Sequence, residues 1–213
     1  LFELQYLDNR GMPVYYQTDN SDAAATISTD RVYSGGGAGL SLDGSGITVR
    51  EWDGGGVRTT HQEYGGRVNQ VDSPSSTHYH ATHVAGTIMA AGVQANAKGM
   101  AYNASLRTFD WDSDESEMAT EAAAGALMSN HSYGFTRGWS QNSSGDWYWY
   151  GDISVSATED YLFGFYDSNS EEWDQIAHNA PYYLICKSAG NDRNDDHSGV
   201  HYVWDGGWQL STD

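Results

Sequence analysis

The sequence predicts an α/β domain: a mainly parallel sheet with helices on both faces. Three observations carry that expectation. Strand-like and helix-like stretches alternate from residue 46 onward, the last strand reads as a near-continuous apolar run, and polar, chemistry-bearing residues follow strand ends. In open sheets of this kind, active groups gather beyond the carboxyl ends of the strands.

Residues 1–45 are expected to be a lead-in that packs on the domain, which occupies 46–213. No internal repeat and no Pro-rich linker interrupts the chain, and Gly35, Gly36, Gly37 and Gly39 read as a turn. Ile47 to Trp52 is strand-like and runs directly into Asp53 and the glycines Gly54, Gly55 and Gly56. A helix is expected from about His80 to Ala91, where His83, Val84, Thr87, Ile88 and Ala91 repeat at three-four spacing and small residues permit close packing. Ala104 to Phe109 reads as a second strand. The acidic stretch Asp112 to Glu117 then opens an Ala-rich helix ending near Met128, with its acids matching the helix dipole.

From Phe135 to about Ser170 the chain is polar and aromatic, and surface loops are expected there. Trp147, Tyr148, Trp149 and Tyr150 read as loop packing rather than as a ligand platform, because aromatic rings are large apolar fillers first. Glu171 to Asn179 is a helix, Pro181 breaks it, and Tyr182 to Cys186 is an apolar strand. Cys186 is the single cysteine, so no intrachain disulfide forms, and its apolar neighbours suggest a buried thiol.

Charge narrows the function classes. With 29 acidic and 10 basic residues the formal charge is -19, which argues against nucleic acid or an anionic membrane as partner, since phosphate recognition needs Lys and Arg. No run approaches the ~20 apolar residues of a spanning helix. Abundant Tyr, Trp, Gly, Ser, Asn and Asp with few Lys suit an extracellular protein, and a start at Leu1 suggests a processed or incomplete product.

Serine hydrolysis needs a nucleophile, a histidine to take its proton, a carboxylate to orient that histidine, and donors for the developing oxyanion. The string His80-Ala81-Thr82-His83-Val84-Ala85-Gly86-Thr87 closely resembles the histidine signature of the subtilisin-like serine peptidases, with Ala81 in place of Gly. Trp52-Asp53-Gly54-Gly55 resembles that family's aspartate segment, with Gly54 where Ser or Thr is usual. Ser132-Tyr133-Gly134 resembles its substrate-binding edge and Ser188-Ala189-Gly190-Asn191 its oxyanion segment, all four in the family's order.

The resemblance implies a subtilisin-like fold and a secreted endopeptidase acting on polypeptides through an acyl-enzyme. Asp53 would orient the base, His80 would be general base and then acid, and Asn191 would donate to the oxyanion. Ser132, Tyr133, Gly134, Ala189 and Gly190 would hold the substrate as an added strand. The family's Gly-Thr-Ser-Met-Ala string is absent, so the serine is expected from a C-terminal segment of the same precursor, and the chain alone is expected to be inactive. No cofactor is required. A structural calcium is compatible with the resemblance, though its ligands are not legible, and Asp112, Asp114, Glu115, Asp192, Asp195 and Asp196 read as solvated.

Two other classes compete. His78, His80 and His83 have a spacing from which zinc hydrolases build sites, but that reading leaves the Asp53 and Asn191 segments unexplained. A non-catalytic binding module that has lost its serine is the other. His83, one turn after His80, is expected to be a packing residue.

Overall fold

A computed structural model describes residues 2–7, 13–17 and 20–212, with side chains from residue 21. Residues 1, 8–12, 18 and 19 of the lead-in, and residue 213, lie outside the described residues. In chain order the elements are β1 (Phe2–Leu7), β2 (Pro13–Gln17), α1 (Asn20–Thr26), β3 (Thr48–Asp53), β4 (Val68–Gln70) and α2 (Tyr79–Met89). Next come β5 (Ser105–Asp110), α3 (Asp114–Ala123), β6 (Met128–His131), β7 (Trp139–Gln141) and β8 (Trp147–Trp149). The last are α4 (Ser168–Asn179), β9 (Leu184–Lys187), β10 (His201–Trp204) and β11 (Trp208–Ser211). The chain divides into two compact units, Leu1–Ser132 with Ala180–Cys186, and Tyr133–Asn179 with Lys187–Asp213.

The first unit is built on a five-stranded sheet ordered β4-β5-β3-β6-β9. Its β4–β5, β5–β3 and β3–β6 pairs are all parallel. Side chains alternate along β3, and each face meets a different helix. Val49 joins the core with Ala81, Ala85 and Met89 of α2. On the opposite face, Arg50 Nε donates to Glu121 Oε2 at 2.9 Å and Trp52 Nε1 to Glu117 Oε2 at 3.0 Å, both acceptors on α3. Trp52 also stacks between Phe109 and His131, with ring centroids at 4.5 and 5.2 Å. The α/β sheet with helices on both faces is the architecture the sequence predicts.

Several element expectations are corrected. α3 stops at Ala123, not near Met128, because Gly125 turns into the left-handed region and the Ala126 amide bonds back to the Glu121 carbonyl at 3.0 Å. Met128 then opens β6. α2 buries Ala81, Ala85 and Met89, so its inward stripe is the alanine one, and His83 is exposed. α4 starts at Ser168 because Asp167 Oδ1 accepts from the Ser170 amide at 2.9 Å. Tyr182 lies before β9 and is exposed. Cys186 is exposed as well, since β9 is the edge strand of its sheet.

The second unit contains the stretch expected to be loops, and two of its segments are strands. β7 and β8 pair antiparallel, and with β10 and β11 they make a sheet ordered β11-β10-β8-β7. Its aromatic residues pack on one another: Trp147 stacks on His197 at 5.1 Å, Tyr148 on Tyr202 at 4.8 Å, and buried Trp149 meets Trp139 at 4.9 Å. The packing role expected of these rings holds, but it is exerted in a sheet.

Candidate active site

β3 ends on Asp53, which the alternation of side chains points toward α2. The chain then turns sharply. Gly55 has φ +111°, a conformation side chains rarely adopt, and a Cβ there would meet Ser76 O and His78 Cβ at 3.3 and 3.2 Å. That close approach lets the Gly56 amide donate to Ser76 O at 2.9 Å and the His78 amide to Gly56 O at 2.7 Å. The start of α2 is thereby latched to the end of β3.

His78 caps α2: its Nδ1 accepts the His80 amide at 3.2 Å, and the Thr82 hydroxyl donates to the His78 carbonyl at 2.9 Å. His80 consequently sits in the first turn of α2, facing Asp53. Its Nδ1 lies 2.7 Å from Asp53 Oδ1 and 2.9 Å from Oδ2. Asp53 Oδ1 also accepts the Gly54 amide at 2.7 Å. The carboxylate side chain is 2% exposed and the imidazole 42%.

This geometry fixes a tautomer by its acceptor. A carboxylate can only accept, so Nδ1 carries a hydrogen, and in the neutral ring the lone pair is then on Nε2. Nε2 has no hydrogen-bond partner among the described residues, and the ring is partly open to solvent. A buried acid holding an exposed imidazole in that tautomer is an arrangement able to take a proton from a hydroxyl.

Trp111, just after β5, covers the turn. A Cβ at Gly54 would lie 2.9 Å from Trp111 Cζ3 and Cη2, so the absence of a side chain at 54 makes room for the indole. Trp111, Pro74, Ser75, Ser76, Gly54 and Gly55 line an open cleft of about 170 Å³, together with Asp110 and Asp112. Burial pushes the Asp110 carboxyl above its usual range, and Asp72 and Asp112 add to this.

Of the residues expected to act, Asp53, His80 and Ser132 belong to the first unit, and Tyr133, Gly134, Ala189, Gly190 and Asn191 to the second. Asp53 and His80 are joined by the bonds above. Ser132 Oγ accepts from Asn130 Nδ2 at 2.9 Å. Within the second unit, the Lys187 ammonium donates to the Tyr133 carbonyl and lies over the Tyr133 ring at 3.8 Å. Gly190 has φ +88°, and Ala189, Gly190 and Asn191 are exposed. Among the described residues no three His, Cys, Asp or Glu side chains converge to hold a metal ion, so His78, His80 and His83 do not form the metal site their spacing allowed. Sequence reasoning passed over Glu51 and Trp111. The signal for Glu51 was an acid inside the strand, two residues before Asp53 and so on the same face.

Fold and site together define an α/β domain that carries a bonded aspartate–histidine pair at the end of its sheet. The chain belongs to the subtilase family, peptidase family S8, whose model matches residues 51–209. No curated protein matches. Among solved structures it is similar to the crystal structure of MycP1 with the N-terminal propeptide removed, at 17% identity and a TM-score of 0.47. That match covers 86% of this chain and 53% of the other, so the chain spans about half of that structure's length.

Proposed function

We propose that this chain is the aspartate- and histidine-bearing part of a secreted serine endopeptidase. The observation that carries the reading is the 2.7 Å contact from buried Asp53 to His80 Nδ1, with Nε2 left free. The nucleophilic serine comes from a C-terminal segment of the same precursor, since the sequence has no Gly-Thr-Ser-Met-Ala string.

In the reaction, Nε2 of His80 takes the serine proton as the hydroxyl attacks the peptide carbonyl, and Asp53 stabilises the imidazolium through Nδ1–H. The Asn191 amide donates to the oxyanion. His80 then passes its proton to the leaving amine, and a water activated by the same imidazole releases the acyl group. Backbone groups at Ser132, Tyr133 and Gly134 and at Ala189 and Gly190 hold the substrate as an extended strand.

The test uses the longer precursor product that carries the segment after residue 213. A fluorophosphonate probe should label one serine in that segment, and His80→Ala should abolish labelling and peptide hydrolysis while melting like the parent. Asn191→Ala should lower kcat by about 10²–10³-fold. A precursor that takes no label and hydrolyses no peptide would leave a binding module; normal hydrolysis by the His80→Ala variant would remove the assigned base.

A further inference from the structure

β3 carries a second acid directly behind the first. Glu51 shares a strand face with Asp53, two residues on, and is completely buried. Neither of its carboxyl oxygens has a hydrogen-bond partner, and the same is true of the buried hydroxyl of Thr108. These two are neighbours: Thr108 on β5 is the register partner of Glu51 on β3, and Asn130 on β6 is its partner on the other side. The row Thr108, Glu51, Asn130 therefore lies across three strands, one step behind the row of Asp53 and Asp110.

A buried carboxylate without donors is far costlier than the neutral acid, so Glu51 keeps its proton. Burial holds its carboxyl well above the usual range and the Asp53 charge adds to this; the nearby Ala85 backbone favours the ionised form but does not reach hydrogen-bond geometry with either oxygen, so burial prevails. The titratable groups around it are Asp53 on its own strand, His80 from α2 beyond Asp53, and Tyr64, whose phenol is pushed up first by its own burial. Asn130 on β6 is uncharged.

We propose that Glu51 is a positioning residue for the Asp53–His80 pair, a neutral carboxylic acid that with Thr108 forms a polar backing for the Asp53 carboxylate inside the sheet. The inference rests on the reading of that pair as the proton relay. An apolar residue at 51 removes a buried unpartnered group and so stabilises the fold, yet leaves the inner side of Asp53 against hydrocarbon. A neutral acid there supplies a dipole behind Asp53 without adding a second negative charge. Stability and proton relay thus pull in opposite directions at this position.

The experiment is NMR on the 213-residue chain, with thermal melting of each variant. Wild type should show a downfield Nδ1–H resonance from His80, and the Glu51 carboxyl carbon should titrate above the ordinary glutamate range. Glu51→Gln should keep the resonance, Glu51→Leu should broaden or lose it while melting higher, and Thr108→Val should weaken it. In the longer precursor, Glu51→Leu should lower kcat about tenfold at unchanged KM. A resonance identical in all variants, or an ordinary Glu51 titration, overturns the inference alone. A wild type with no such resonance overturns the relay reading on which it depends.

Discussion

Glu121 illustrates how a single side chain holds the back of the sheet. It accepts from Arg107 Nη2 at 2.6 Å and from Arg50 Nε at 2.9 Å, tying α3 to two neighbouring strands. Burial alone would raise its carboxyl; the bonds and charges of Arg107 and Arg50 outweigh that and hold it below the usual range. A depressed folded-state value means stability that is present above the unfolded glutamate range and is lost as pH falls through the folded one. Glu121→Gln should therefore destabilise the chain by about 2 kcal/mol at pH 7, with the difference fading below about pH 4. Urea melts across pH measure this, and a constant difference down to pH 3 would contradict it. Gly54 makes a second residue-level case. Its missing Cβ is the space the Trp111 ring occupies, so Gly54→Ser should displace the indole and shift its fluorescence to the red, because the ring gains water contact.

At the scale of elements, the decisive contact is the seating of α2, which carries His80. Beyond its small inward alanines, Gly99 lies against the helix end: a Cβ there would come within 2.4 Å of Ala90 N and 2.6 Å of Met89 N. Those are backbone atoms that no rotamer change can move. Gly99→Ala should destabilise by about 3 kcal/mol, at the severe end for one substitution, and weaken the Asp53–His80 contact by lifting α2. Melting together with the His80 Nδ1–H resonance tests both parts. The sequence made β3 and Asp53 legible because an apolar-rich strand ends on an acid and glycines, and made His80 legible through its eight-residue string. It misled on the face of α2, since larger residues at three-four spacing outlined a stripe that the alanines actually occupy. β7 and β8 were unreadable for another reason: strands of three residues are too short for an alternation to register. Thr108 beside Glu51 is a fact of register between strands far apart in the chain, which no local pattern encodes.

For the whole molecule, the dominant fact is a net charge of -19 from 29 acidic and 10 basic residues. Arg50 and Arg107 are both committed to Glu121, which leaves even fewer cations to offset the remaining acids. Such an excess opposes compaction through self-repulsion, and salt weakens that repulsion over distances beyond the Debye length, ~30 Å at 0.01 M and ~3 Å at 1 M. The pairs at Glu121 are shielded by burial and respond less to salt than the exposed acids do. Screening of repulsion should therefore outweigh screening of attraction. Raising NaCl from 10 mM to 0.5 M at pH 7 should lift the melting temperature by roughly 3 °C, the shift that about 1 kcal/mol produces in a chain of this size. The same titration at pH 4, where most exposed carboxylates are losing their charge, should give a much smaller rise. A melting temperature that falls with salt at pH 7 would mean that attractive pairs, and not the acidic surplus, govern the long-range electrostatics of this protein.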